Sequence, residues 1–214
     1  MKKIACIVLS SVFLAGGIVS CGKTTRGKVT DDWKGTAYED QEIYLNSNGN
    51  QLIDIIKLDE STASMITMTT PSGGSTSTDS KNGVVNKHEF AIKKDGTWSW
   101  IMDVTLTEGT AAQNYLVEQS GTWSFVGTTK GDSYKKNERI LMNILLSRAT
   151  ETLTDNQQVI DTDISQNTFT TGQRVDIYTI TTSSKEKLEL ELEARNESDG
   201  NTITHSRKIT LEKK

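Results

Sequence analysis

The two cysteines of this 214-residue chain, Cys6 and Cys21, both fall within its first 21 residues, so nothing from Gly22 onward offers a thiol. Disulfides, thiolate metal sites and cysteine nucleophiles are thereby excluded from the folded part. Histidine is equally scarce: His88 and His205 are the only two, and two histidines without a third ligand at motif spacing do not make a metal site. Both fall in alternating segments, facing inward if Phe90 and Ile203 do, and they are read as half-buried, hydrogen-bonded side chains. No metal and no cofactor is expected. Clusters of one charge sign are lacking too, because Lys and Arg alternate with acids and the net charge is −4. Nucleic acid is therefore excluded as a partner, since a phosphate backbone needs grouped basic side chains. No serine sits in a GxSxG setting, and the glycine-rich loops lack the lysine and following helix of a phosphate-binding loop. Paired carboxylates occur at Asp31 and Asp32, Glu39 and Asp40, and Asp59 and Glu60. All three pairs read as turn residues, where water keeps a carboxyl too acidic for general acid work. No catalytic residue is assigned, and the chain reads as a non-enzyme.

What is present begins at the N-terminus. Met1, Lys2 and Lys3 precede an apolar run from Ile4 to Val19, broken by Ser10, Ser11 and two glycines, that ends at Ser20 and Cys21. The basic start, the small-residue end and a run shorter than the roughly 20 residues of a membrane span are those of a cleavable export signal. Ile18, Val19, Ser20 and Cys21 have the pattern of a bacterial lipobox, where the cysteine is lipidated and becomes the first mature residue. Residues 1–20 are accordingly read as a signal peptide and Cys21 as the lipidation site; the alternative is an ordinary thiol beside a conventional cleavage site. Acyl chains bind a bilayer with about 0.8 kcal/mol per buried methylene, so three chains would tether the protein permanently. Losing Lys2 and Lys3 leaves 22 basic against 28 acidic residues, a net charge of −6. Residues 21–31, polar and glycine-containing after the cysteine, read as a flexible tether.

The rest of the chain is organised around GTWSWIMDVTL, Gly96 to Leu106. Trp98, Trp100, Met102, Val104 and Leu106 occupy every second position, which makes a strand with one buried face; on a helix the two tryptophans would lie on opposite sides. KKDGTW supplies an Asp-Gly hairpin turn into that strand. KLELELEAR repeats the pattern, with Leu188, Leu190, Leu192 and Ala194 inward and Glu189, Glu191 and Glu193 outward, opposite Arg207 and Lys208 as cross-strand partners. Leu52 to Leu58 fits a strand or a two-turn helix. Pro71 to Gly83, which holds the chain's only proline, reads as a mobile hairpin loop. Residues 149–168 carry too few apolar side chains for a core strand, and a poor helix over Leu153 to Ile160 is considered. The count is about eight to ten strands joined by hairpin turns, an all-β antiparallel up-and-down meander spanning residues 32–214 as one domain. Closure into a barrel removes the exposed edges; a two-sheet sandwich is the alternative.

Trp33 followed by Gly35, the DGTW and SGTW strands, and the late IYTI and KLELELEA pair resemble the lipocalin-like lipoproteins of Bacteroidetes over most of residues 32–212. That resemblance implies a small β-barrel on an envelope lipoprotein, with outer-membrane placement. Aromatic walls recur in ligand pockets, so Trp33, Trp98, Trp100 and Trp123 are the candidate ligand-binding residues, against the plainer reading of Trp98 and Trp123 as core. Trp33, near a strand end, is expected to matter less to stability than Trp98. The functional expectation is a non-catalytic, monomeric envelope lipoprotein that holds a small apolar or amphipathic ligand in its barrel. The competing expectation is a surface module whose Ser/Thr-rich loops at 71–83 and 127–137 meet a glycan or another protein. Replacement of the anchor residue, Cys21→Ser, should move the protein from the membrane fraction to the soluble fraction on ultracentrifugation; a mutant that still sediments with membranes would overturn the lipoprotein reading.

Overall fold

The computed structural model describes residues 25–126 and 138–214, without the side chains of residues 25 and 26. The signal segment, Cys21 and the glycine-rich loop at 127–137 lie outside the described residues. A five-residue helix, α1 (Thr25–Val29), precedes eleven strands: β1 (Asp32–Leu45), β2 (Gln51–Leu58), β3 (Thr62–Thr70), β4 (Ser77–Ile92), β5 (Thr97–Glu108), β6 (Ala111–Val126), β7 (Arg139–Asp155), β8 (Gln158–Thr168), β9 (Val175–Ser183), β10 (Lys187–Ser198) and β11 (Asn201–Lys213). All pair antiparallel in one sheet that closes in a ring, as the alternation had led one to expect. The two-sheet alternative is not what the chain adopts.

The ring changes size along its axis. At one end the first three residues of β1, Asp32 to Lys34, pair directly with Glu89 to Ala91 of β4, and the circle runs β1, β4, β5, β6, β7, β9, β10, β11. This is the closed end. Further along, β1 leaves β4 and pairs with β2 from Tyr38 onward, so the β2–β3 hairpin is wedged into the wall. On the other side, β7 is covered by β9 only over Arg139 to Asn143 and by β8 beyond Leu146. β9 in turn stays with β10 only as far as the Thr179 and Glu191 pair. The distal half of β10 and the whole of β8 are left without a partner across the gap among the described residues. The barrel is therefore flared and slit at this open end.

The core follows the inward register. Trp98, Trp100, Met102, Val104 and Leu106 are all buried, as are Leu188, Leu190 and Leu192, and the partner strands add Phe90, Ile92, Ile140, Met142, Ile144, Ile209 and Leu211. Fully burying each such side chain is worth roughly 1.5 to 3 kcal/mol. Asp95 stabilises the turn into β5 by accepting bonds from the Thr97 amide at 2.9 Å and hydroxyl at 2.7 Å. Three glycines are required by close approach, among them Gly83, where a Cβ would lie 1.8 Å from the Thr105 carbonyl oxygen. A Cβ on Gly121 would lie 1.8 Å from the Asn143 carbonyl oxygen, where β6 and β7 shift register, and one on Gly35 would lie 1.9 Å from Nδ1 of His88.

Several expectations are corrected. Leu52–Leu58, open between helix and strand, is strand β2. The expected loop at 71–83 shrinks to residues 71–76, because Ser77 to Gly83 extend β4 against β3. The stretch 149–168 is neither helical nor irregular: it is the end of β7, a turn at Asn156 and Gln157, and β8. Both turn residues have positive φ, 48° and 67°, the geometry of a two-residue hairpin turn normally announced by glycine. Apolar side chains are few there because β8 buries nothing; all eleven of its residues are exposed. Ala194 is exposed for the same reason, since β10 has by then parted from β9. The end of the expected tether is structured: Val29 of α1 is fully buried, and its carbonyl accepts a 3.0 Å bond from the Trp33 indole. Trp33 is consequently 0% exposed and sealed into the closed end rather than marginal to it.

The Gly35 and His88 contact generates a test. Gly35→Ala should cost about 1 to 3 kcal/mol by overpacking, and adding His88→Ala, which vacates that space, should recover most of the loss. Denaturant melts of the two single variants and the double variant check this; simple additivity would mean that the two residues do not meet.

Candidate ligand site in the barrel lumen

Inside the barrel, where β1 passes from β4 to β2, the inward positions turn from apolar to charged. The bulge between Gly35 and Ala37 resets the register of β1 so that Tyr38 and Asp40 face the lumen. From β11 the inward positions below Ile209 are Arg207 and His205, and from β9 they are Tyr178 and Asp176. Arg207 bonds Asp40 through Nη2 at 3.1 Å and Nε at 3.3 Å. Its Nη1 reaches Asp176 at 3.3 Å and the Tyr178 hydroxyl at 3.0 Å. His205 Nε2 lies 2.5 Å from Asp40 Oδ1, and the Tyr38 hydroxyl donates to Asp40 at 3.1 Å. The guanidinium also stacks 5.9 Å from the Tyr38 ring and 5.7 Å from the Trp100 ring, within cation–π range.

The electrostatics follow from burial and pairing. Burial pushes the Asp40 carboxyl upward, but the His205 hydrogen bond and the charge and bonds of Arg207 outweigh it and hold its pKa at about 2. Burial works against the Arg207 charge as well; Tyr178, Tyr38 and Asp40 around it prevail, so the guanidinium stays protonated. Burial raises the Tyr38 hydroxyl well above its usual range and the Tyr178 hydroxyl to about 12, so both remain neutral donors. The cluster is thus an ion pair with every partner in place, the condition under which a buried pair persists.

Beside it lies an apolar cavity of about 120 Å³. Ile56 and Leu58 of β2, Ala63 and Met65 of β3, and Met102, Val104, Leu106, Tyr115 and Val117 of β5 and β6 line it. Asp40 is paired in register with Ile56, and Trp100 precedes Met102 by two on the same face of β5, so the charged cluster and the cavity adjoin. The lumen of the open half therefore has an apolar chamber with a charged floor beside it. Across Tyr115 and Val117 a second recess of about 100 Å³ reaches Glu151 and Asp163.

The four candidate tryptophans are distributed unequally. Trp33, Trp98 and Trp123 belong to the closed half, and their indole N–H groups donate to backbone carbonyls of Val29, Asn143 and Lys93 at 3.0, 3.1 and 2.8 Å. Trp98 stacks on Phe90, and Trp123 meets Phe125 edge-on. Trp100 alone reaches the cluster, stacked on Tyr38 at 5.6 Å, and none of the four lines the apolar cavity. Asp40, Asp176 and Arg207 escaped the sequence reading. The Glu39 and Asp40 pair lies on β1 and not in a turn, and Asp40 is half-buried against Arg207. Arg207 itself points inward instead of pairing with the Glu189 to Glu193 face, whereas Lys208 does meet Glu191 at 3.6 Å. The available signal was parity alone: Arg207 and His205 share the register of Ile209 and Leu211.

Of the two histidines, His205 joins the cluster. His88 is buried against Gly35, Tyr38 and Trp100, and neither ring nitrogen meets a hydrogen-bond partner among the described residues. Among those residues no three acidic, histidine or cysteine side chains gather in a metal-holding arrangement. A scan against protein-family models finds no match to this chain, and a search of curated proteins finds none either.

The titrations give a pH test. Burial lowers the His88 pKa from 6.5 to about 4. The unfolded chain therefore takes up this proton before the folded one does, and stability falls as pH drops from about 6.5 to about 4, by about 3 kcal/mol at 1.4 kcal/mol per pKa unit. Asp40 acts lower down: with its folded pKa depressed, its contribution is present above about pH 4 and is lost as pH falls through about 2. Urea melts at pH 7 and pH 5 should show the first loss in the native protein and a much smaller one in His88→Phe; an equal loss in both would assign the effect elsewhere.

Proposed function

We propose that this protein is a non-catalytic lipoprotein of the cell envelope, held in the outer membrane by lipid on Cys21, whose barrel takes a small apolar or amphipathic ligand into its open half. The observation that carries this reading is the apolar cavity between the β2–β3 hairpin and the β5–β6 wall, with the Asp40, His205 and Arg207 cluster next to it. A dry cavity of about 150 Å³ accommodates benzene, so one of about 120 Å³ suits a ring or a branch of a few carbons. A polar head on such a ligand would rest toward the charged floor. The resemblance to lipocalin-like lipoproteins agrees with this reading, because it implies a barrel on an envelope anchor. α1 enters at the closed end only four residues after Cys21, a reach of at most about 14 Å when extended. The mouth then faces away from the membrane, and the ligand comes from the surrounding compartment rather than from the bilayer.

The reading of the protein as a surface module draws on the exposed Ser/Thr-rich stretch 71–83, which lies at the open end. Filling the cavity separates the two. Ala63→Phe places a ring in the chamber, so the affinity for an apolar fluorescent probe such as anilinonaphthalene sulfonate should fall at least tenfold while far-ultraviolet circular dichroism is unchanged. Mass spectrometry of extracts from natively purified protein should find a small organic molecule in the native protein and not in the variant. Equal probe binding by both would remove the cavity from the function.

A further inference from the structure

The slit in the open half carries an inference that does not depend on what the lumen holds. β8 is bonded to β7 on one side and to no described residue on the other, and all eleven of its residues are exposed. Val159, Ile160 and Ile164 are 64, 60 and 55% exposed. Facing it across the gap, β10 beyond Leu192 is bonded only to β11 among the described residues. A long free strand edge with exposed aliphatic side chains invites pairing, and natural proteins blunt such edges with charged side chains, above all lysine, or with proline, bulges or shortness. β8 has neither lysine nor proline, and eleven residues is long for an edge; its guards are the register shift beside Val159 and its acidic side chains.

What it does carry is negative charge. Asp161 and Asp163 lie on one face of β8, and Asp163 is in register with Glu151 of β7. Asp155 at the end of β7 and Glu193, Glu197 and Asp199 along the facing edge add to it, whereas Arg195 is already bonded to Glu197 at 2.5 Å. A second copy of this chain is a poor occupant, since antiparallel pairing of β8 with itself would set these aspartates against one another, and like charges directly opposed are destabilising.

We propose that the slit is a docking slot for an extended, basic segment of a partner protein, which adds to the free edge of β8 as a strand. Its backbone would take up the unpaired N–H and C=O groups of β8, as in other strand-addition complexes. Alternate basic side chains would lie over Asp161 and Asp163, and alternate aliphatic side chains beside Thr162 and Ile164. The slot is at the end of the barrel opposite α1, where a partner can approach.

The test uses the mature protein and two labelled eleven-residue peptides, one alternating lysine with valine and one of equal composition except for a central proline that cannot join a ladder. By fluorescence anisotropy the alternating peptide should bind at least tenfold more tightly than the proline peptide, and hydrogen exchange should show new protection in β8 but not in β3. The exposed double variant Asp161→Lys with Asp163→Lys, checked for folding by circular dichroism, should lose tenfold or more and should gain affinity for a peptide alternating glutamate with valine. Equal binding of the two lysine peptides, protection outside β8, or unchanged affinity in the double variant would overturn the proposal. So would sedimentation of the protein alone as a dimer with β8 already protected, which would make the occupant a second copy.

Discussion

The pairing of three residues, Asp32 to Lys34 of β1 with Glu89 to Ala91 of β4, is the constraint on which the shape of this protein depends. It short-circuits the β2–β3 hairpin and draws the sheet into a ring of eight strands at one end. Just beyond it, where His88 occupies the space that a side chain on Gly35 would need, β1 parts from β4. The hairpin fills the fork that results. One end is thus narrow enough for Trp33, Ile92, Ile140, Leu188 and Leu211 to fill it, and the other too wide for the available side chains.

A wide lumen must be filled by cavity, by water or by long polar side chains that satisfy one another. The protein uses the third solution on one wall. Arg207 spans from β11 to Asp40 on β1 and Asp176 on β9, with its flat face on Tyr38 and Trp100. A lysine would not substitute, because the contacts are made by several nitrogens in one plane over two rings. The pairing holds the Asp40 carboxylate strongly acidic and keeps the Arg207 guanidinium protonated. The apolar chamber adjoins this cluster through the Asp40 and Ile56 pair of β1 and β2.

Much of the closed half was legible in the sequence. The period-two pattern of Trp98 to Leu106 and of Leu188 to Leu192 is enforced by burial, and the Asp95–Gly96 turn by backbone geometry, so composition and structure had to agree there. The open half was less legible for a physical reason: where strands part, neither face need be apolar. β8 alternates nothing and was missed, and its turn at Asn156 and Gln157 lacks the glycine that marks such turns. Asp40 was misplaced because adjacent carboxylates ordinarily signal a turn, whereas the β1 bulge sends Glu39 to solvent, near Lys57 at 3.4 Å, and Asp40 to the interior. The pairing with His205 and Arg207, 165 and 167 residues away, keeps its charge in that position.

The same division of the barrel separates its tasks. Side chains that hold the fold together gather where α1 seals the bottom: Val29, Trp33, Trp98 and Trp123 form an interior in which the three indole N–H groups are satisfied by backbone. Substitutions there act on stability. In the open half the charged cluster and the free edges contribute little hydrophobic burial, whereas the cavity is walled by buried Leu58, Met102, Val104 and Leu106. The eleven-residue β8 stays fully exposed there, and what guards its far edge is charge and irregularity, Asp161, Asp163 and the register shift beside Val159, in place of the burial that secures the other end.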